Sequence, residues 1–483
     1  MISKIKSFLL ENKGTRQTVA KNTFWLAVSQ MGSRLIRAVI IIYAARILGA
    51  AEYGLFSYVL GFAGFFTIFA DIGVNSLMTR DIARDPENRN IYFSNSFWIK
   101  ILLLTFTALL VIFVAPYFTN IEAAKALIPL VALLVVADGI REFIIAYYRG
   151  IERMEAEALI VTLMNVTILV SGLVILYYNQ TAKALLYTYI ASVVVTAGLG
   201  VTLLIKRFAH IFKYISKERL LYVIKLSWPI AFSAVLGIFM LNTDIVMLGW
   251  WRSAEEIGYY AAGQRIIQVL YTLPALLASA MFPLLSRLAK EKGERERSLV
   301  ERSLALIYSV AFPLAIGGIV LAQDIIQFVF GAEYLPAVPA FQILLLTPLI
   351  LFPGMIILNL IIAHNKQREI IWFSASGSLG NVLFNAMLIP PLGIIGSALA
   401  TVIAQLLNYG LTWKFIKKTV PFSTFKNLHR IIFASALMGI VSFVIRLVGV
   451  HVLINILVSA GFYFGLLFLL KERTIFEIKK VFY

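Results

Sequence analysis

The chain has no cysteine. Disulfides, thiol nucleophiles and thiolate metal ligands are excluded, and compartment is left open because a membrane bundle needs no such staples. Histidine is scarce as well. His210, His364, His429 and His451 all lie near expected helix ends, and no pair has metal-ligand spacing. No metal and no cofactor is expected. Charged residues are only 14% of 483, against about a quarter in soluble domains. A Walker-type Gly-x-x-x-x-Gly-Lys-Ser/Thr is missing, which removes the usual signature of ATP hydrolysis. No stretch is long and polar enough to form a soluble catalytic domain, so no enzyme is expected.

What is present is apolar. Hydrophobic residues are 60% of the chain, and the mean hydropathy is +0.87. The expected class is all-α, a polytopic membrane protein. A span needs about 20 mostly apolar residues. Fourteen stretches qualify: 22–48, 52–79, 92–115, 124–148, 158–178, 183–205, 222–249, 255–285, 300–322, 335–362, 370–389, 392–413, 430–449 and 451–470. Pro390-Pro391-Leu392-Gly393 is a turn signal that separates the eleventh from the twelfth. The first run is too long for a signal-peptide core and carries Arg34 and Arg37. Residues 1–21 alternate apolar residues with Lys, as an amphipathic segment on the cytoplasmic surface does.

The net charge of +18 does not indicate nucleic acid, because of where it lies. Of the 43 Lys and Arg residues, 33 fall in the N-terminal tail and every second loop counted from it, with the span ends that flank them. Such asymmetry places those loops and both termini in the cytoplasm. An internal repeat is also visible. Ala51-Glu52-Tyr53-Gly54-Leu55-Phe56-Ser57 opens the second span, and Glu255-Glu256-Ile257-Gly258-Tyr259-Tyr260-Ala261 opens the eighth. Arg149-Gly150-Ile151-Glu152-Arg153 follows the fourth span, and His364-Asn365-Lys366-Gln367-Arg368 follows the tenth. Six spans separate equivalent points, so the halves share one orientation, as parallel repeats do. The expected organisation is a cytoplasmic segment 1–21, an N-terminal lobe 22–205, a basic linker 206–221, a C-terminal lobe 222–413, two further helices in 414–470 and a cytoplasmic tail 471–483.

Arg46-Ile47-Leu48-Gly49-Ala50-Ala51-Glu52-Tyr53-Gly54-Leu55-Phe56 resembles the first-loop signature of the polysaccharide repeat-unit flippases, of the O-antigen and exopolysaccharide translocase type. Asp71-Ile72-Gly73 with Thr79-Arg80-Asp81-Ile82-Ala83-Arg84 resembles the end of that family's second helix. Ile257-Gly258-Tyr259-Tyr260-Ala261-Ala262 and Phe282-Pro283-Leu284-Leu285-Ser286 resemble its eighth, and Phe330-Gly331-Ala332-Glu333-Tyr334-Leu335-Pro336-Ala337 its ninth-to-tenth loop. The resemblance covers nearly the whole chain and rests on the order and spacing of these motifs. It implies a two-lobed transporter of the multidrug/oligosaccharidyl-lipid/polysaccharide exporter superfamily in a prokaryotic cytoplasmic membrane. It also implies a polyprenyl-pyrophosphate-linked oligosaccharide as substrate and partner, with membrane lipids, coupled H+ or Na+ and a polysaccharide polymerase as further partners. The motifs sit mostly at loops, so they point to the fold more than to the sugar.

Five cations lie inside spans away from the flanks of the loops: Arg34, Arg37, Lys100, Arg141 and Arg265. An arginine at the centre of a membrane helix costs about 2.5–3.5 kcal/mol or more unless it meets a partner or a watery cavity. Arg34 lies about 18 Å of helix from residue 22, too deep to snorkel easily. Thr23, Gln30, Arg34 and Arg37 share one helical stripe, and Ala261, Arg265, Gln268 and Thr272 another. The functional reading is a cationic chamber in which Arg34, Arg37 and Arg265, with Gln30 and Gln268, bind pyrophosphate or acidic sugar. Guanidinium forks donate two hydrogen bonds to such oxygens. The alternative is structural pairing with Asp71, Asp138 or Glu142. Arg141 is a further cavity candidate, although Asp138 and Glu142 lie within one turn of it. Lys100, about 12 Å into the third span, is expected to snorkel, with a place in the cavity as the alternative. Asp71 and Asp244 are candidates for cation coupling or for a gate. Asn381, Asn385, Gln405 and Asn408 give the eleventh and twelfth spans a polar side suited to interhelical hydrogen bonds.

Two other functions compete with a flippase. A cation-coupled multidrug exporter of the same superfamily would favour an acidic chamber, whereas the deep charges here are mostly positive. A membrane glycosyltransferase or polymerase would need a large outer loop with acidic catalytic residues, and the loops expected here are short.

Overall fold

The computed structural model describes residues 14–208, 211–291, 293–424, 428–470 and 472. Most of the expected surface segment 1–21 and nearly all of the tail 471–483 lie outside them, as does His210. Helices dominate, and no strand occurs among the described residues. In order they are α1 (Thr15–Ala70), α2 (Val74–Arg84), α3 (Arg89–Phe113), α4 (Ile128–Gly150), α5 (Met154–Tyr178), α6 (Ala182–Leu203), α7 (Lys217–Trp251), α8 (Ala254–Leu270), α9 (Thr272–Glu291), α10 (Glu294–Val320), α11 (Ala322–Phe330), α12 (Val338–Leu344), α13 (Pro348–Ala363), α14 (Gln367–Lys417), α15 (His429–Leu447) and α16 (Val452–Leu469). Single turns Glu122–Lys125 and Ile205–Phe208 lie in the connections.

Every one of the fourteen expected spans falls on helix. Taken helix by helix among the described residues, seven are long and apolar enough to cross a membrane, or up to nine if each bent pair is one span. The chain is a multi-pass membrane protein.

The breaks follow local chemistry. Gly49 adopts φ 72, ψ 173 and divides α1 into the first and second expected spans. That conformation is nearly closed to any residue with a Cβ. Gly393, at φ 59 and ψ −133, divides α14 just after Pro390-Pro391, as the turn signal required. Three expected spans are themselves interrupted away from their ends. The second bends by 51° between Ala70 and Val74, and the tenth by 44° between Leu344 and Pro348. The eighth is split between α8 and α9 at Tyr271.

By packing, the chain forms two compact units, Met1–Glu255 and Glu256–Tyr483. The division falls after α7, whereas the lobe boundary expected from the repeat, at 206–221, concerns internal symmetry. In the first unit α1 packs chiefly on α5, and α4 lies between α3 and α6. Phe93 anchors an aromatic cluster there, with ring centroids 5.3 Å from Phe143, 5.2 Å from Tyr147 and 5.3 Å from Phe208. In the second unit α10 packs on α13 and α15, and α15 pairs with α16. Asn455 Nδ2 donates to the Ser442 carbonyl at 2.9 Å within that last pair, and the Tyr463 hydroxyl ties α16 to α10 through the Ser309 carbonyl at 2.8 Å. A cavity of about 340 Å³ beneath them is lined by apolar side chains of α8, α10, α12, α15 and α16.

The two halves also share a turn. Among the described residues, Glu152 after α4 and Asn365 after α13 are the two non-glycine residues with positive φ, at 57 and 58. Both turns close with a bond from residue i to i−5, Arg153 N to Tyr148 O at 2.9 Å and Lys366 N to Ile361 O at 3.0 Å. This is the geometry that satisfies orphan carbonyls at a helix C-terminus. It equates Glu152 with Asn365, two positions away from the sequence pairing of Arg149 with His364.

Candidate substrate-binding surface

The motif residues hold turns. Besides Gly49, Glu52 reaches across to α6, where its Oε2 accepts from Ala182 N at 2.6 Å. It thereby caps a helix start whose N–H groups have no partner within the helix. Tyr53 and Tyr334 are each 1% exposed.

Polar contacts to α5 hold the first arm of α1. Lys21 is fully buried, with Nζ 2.9 Å from Glu155 Oε2. Glu155 is also paired with Arg153 at 3.0 Å. Deeper along the arm, Arg37 Nε donates to Asn165 Oδ1 at 2.8 Å. Thr23, Gln30, Arg34 and Arg37 are exposed along one stripe of the arm, as the spacing predicted. Phe24, Val28, Met31, Leu35 and Val39 are exposed beside them. Neighbouring positions on a helix are about 100° apart, so a cationic stripe and an apolar stripe run side by side.

Arg141 sits differently. It is 5% exposed, and its guanidinium donates to Asp138 Oδ1 at 2.9 and 2.7 Å and to Glu142 Oε1 at 2.6 Å. The local pairing allowed by the spacing is the arrangement found.

Lys100 departs from expectation. Rather than snorkelling, it is 2% exposed, with Nζ 2.7 Å from the Ala70 carbonyl and 3.9 Å from Asp71 Oδ2. The break after Ala70 frees carbonyls at a helix end where a cation is favoured. Asp71 serves the next helix, its Oδ1 accepting from Gly73 N at 3.1 Å and Asn75 N at 3.2 Å. A cation thus closes α1 and an anion opens α2. Asp244, on α7, is 1% exposed.

In the second unit Arg265 is half-buried on α8. Its Nη1 donates to Gln268 Oε1 at 3.0 Å, and its buried Nε has no hydrogen-bond partner among the described residues. The expected pair of stripe residues is therefore in contact. The polar side of α14 is knitted locally: Ser397 Oγ donates to Asn385 Oδ1 at 3.1 Å, joining the two arms of that helix. His364 forms a buried contact with Glu296 at 2.6 Å. Among the described residues no group of three or more His, Asp or Glu could hold a metal ion.

One residue was missed by sequence reasoning. Asn165 is 1% exposed in an apolar stretch of α5 and meets Arg37. A lone Asn among Leu, Met, Val and Ile was the only signal, and it named no partner.

Known proteins resemble this chain in order and in fold. The family described as polysaccharide biosynthesis protein matches residues 19–289, and the MatE family matches residues 229–387. The probable low-salt glycan biosynthesis flippase Agl15 of Haloferax volcanii is 24% identical over 289 residues, 59% of this chain and 60% of that protein. The match thus spans less than two thirds of that relative's length. Lipid II flippase MurJ, in an inward closed conformation, superposes with a TM-score of 0.74 at 18% identity, covering 94% of this chain and 99% of that one. An inward-facing multidrug resistance MATE family transporter of the MOP superfamily superposes with a TM-score of 0.63 at 14% identity, covering 82% of this chain and 98% of that one. These likenesses establish a transporter fold, and with a family match over more than half its length, the chain belongs to the polysaccharide biosynthesis protein family.

Proposed function

We propose that this protein is a flippase. It moves polyprenyl-pyrophosphate-linked oligosaccharide across a prokaryotic cytoplasmic membrane by alternating access, for surface polysaccharide assembly, with both termini in the cytoplasm. The carrying observation is the open side of α1, where Gln30, Arg34 and Arg37 run beside Phe24, Val28, Met31 and Leu35. An anionic head joined to a hydrocarbon tail matches both stripes at once. Arg265 with Gln268 is the corresponding head-group contact of the second unit, and Arg141 belongs to an ion pair. The chain performs no bond chemistry; a polysaccharide polymerase uses what it delivers. With the cell interior negative, outward movement of an anion is favoured by about 2.3 kcal/mol per charge per 100 mV. Asp71 and Asp244 are the candidates for coupling to H+ or Na+, Asp244 being the more deeply buried.

The test is accumulation of lipid-linked sugar on the cytoplasmic leaflet. Each arginine lost removes charge-assisted bonds of about 1.5–3 kcal/mol, or roughly 10- to 100-fold in head-group affinity. Arg34→Ala and Arg265→Ala are expected to accumulate the precursor. Full export by both, at normal protein level, would sink the arginine assignment. The MatE match over residues 229–387 favours one second reading, a cation-coupled multidrug exporter. Efflux of a cationic dye with no glycan defect on deletion would select it.

A further inference from the structure

Arg37 is held by one neutral residue. Asn165 Oδ1 accepts from Arg37 Nε at 2.8 Å, while Asn165 Nδ2 donates to Ser33 Oγ at 3.1 Å and to the Val161 carbonyl at 2.6 Å. The carbonyl can only accept, so it fixes which end of the amide faces Arg37. The amide is 1% exposed and cannot turn without losing these bonds. Nε is the only nitrogen of Arg37 so engaged; Nη1 and Nη2 have no hydrogen-bond partner among the described residues, and the side chain is exposed.

The chemistry of the acceptor matters. A carboxylate at 165 could also accept from Nε, but it would cancel the guanidinium's charge and has no donor for the Val161 carbonyl. An amide orients it and leaves the charge intact. With Nε occupied, the edge left to a ligand is the terminal Nη1–Nη2 fork, which suits two oxygens of one phosphate. Long flexible side chains lose entropy when a ligand immobilises them, and Asn165 removes part of that cost beforehand.

We propose that Asn165 is a positioning residue that presents Arg37 to a phosphate or pyrophosphate group, an assignment that rests on the flippase reading above. Asn165 acts through Arg37 and does not itself touch the ligand.

The test measures binding of farnesyl pyrophosphate to the purified full chain in lipid nanodiscs, alongside thermal melting of each variant. Arg37→Ala sets the reference loss. Asn165→Ala is expected to weaken binding by roughly 3- to 10-fold, the scale of immobilising one rotamer-rich side chain. In the Arg37→Ala background Asn165→Ala is expected to add nothing. Asn165→Asp keeps size and acceptor but loses the Nδ2 bonds to Ser33 and the Val161 carbonyl, and is expected to weaken binding at least as much as Arg37→Ala because it neutralises the guanidinium. This near-isosteric variant carries the test if Asn165→Ala does not fold. Wild-type binding by Asn165→Asp, with Arg37→Ala impaired, overturns the positioning role alone. A further loss from Asn165→Ala in the Arg37→Ala background also overturns it, because the effect would then not pass through Arg37. Wild-type binding by Arg37→Ala instead overturns the cationic-stripe reading at this position, and the positioning role with it.

Discussion

Replacing Gly49 by alanine tests the fold at the joint between the two arms of α1. The backbone there is at φ 72, ψ 173, a region that is essentially glycine-only and costs a residue with a Cβ about 1–3 kcal/mol. The substitution also narrows the unfolded ensemble, which returns about 0.4–1 kcal/mol. The expected net is a loss of about 1–2 kcal/mol. Gly465 provides a control of the same chemistry. It lies in α16, and a Cβ there would meet nothing within 4 Å. Alanine at that position is expected to stabilise by about 0.5–1 kcal/mol, because glycine is a poor helix residue. Denaturant titration of both variants in one detergent, followed by circular dichroism, reads the two signs together. Gly49→Ala as stable as the wild type, with Gly465→Ala clearly stabilised, would refute the positive-φ joint. The consequence reaches function, because this joint sets where the cationic arm of α1 leaves the packed second arm.

Two other perturbations follow from single contacts. Lys100→Met removes the cation that closes α1 at the Ala70 carbonyl. Because the wild type contains no cysteine, spin labels at Phe69→Cys and Ala83→Cys report the 51° bend cleanly. A broader label-to-label distance distribution in Lys100→Met is expected, and an unchanged one would show that the bend does not depend on Lys100. In the connection between α2 and α3, Asn88 Nδ2 and the Tyr92 hydroxyl donate to Asp85 Oδ2 at 2.8 and 3.0 Å, and these bonds hold the carboxyl below its ordinary 3.8. A carboxylate lowered on folding adds stability above its unfolded pKa, and that stability is lost as pH falls through the folded value. Asn88→Ala is therefore expected to raise the Asp85 pKa in a titration followed by NMR, and to alter stability near pH 6 but not below both values.

Much of the fold was legible because membranes impose local rules. A span must be about 20 apolar residues long, and the bias of Lys and Arg between loops needs only a count. The helix joints at Gly49 and Gly393 were legible for the same reason: glycine and paired prolines act on their own backbone. The candidate site was legible in part. The stripe of Thr23, Gln30, Arg34 and Arg37 follows from helical periodicity, and it is exposed. The Arg141 pairing with Asp138 and Glu142 follows from spacing within one turn.

The bend at Asp71 and the fate of Lys100 were not legible. Asp71-Ile72-Gly73 lies within a run that hydropathy reads as continuous, and a cation reaching a broken helix end looks in sequence like one reaching the interface. Sequence by itself determined the membrane class, the helix positions and which arginines share a helical face, because those depend on near neighbours along the chain. Tertiary structure decided which acceptor each buried donor meets. Lys100 finds a carbonyl 30 residues away and Arg37 an asparagine 128 residues away. Such partners are chosen by which helices pack together, and no local periodicity encodes that choice.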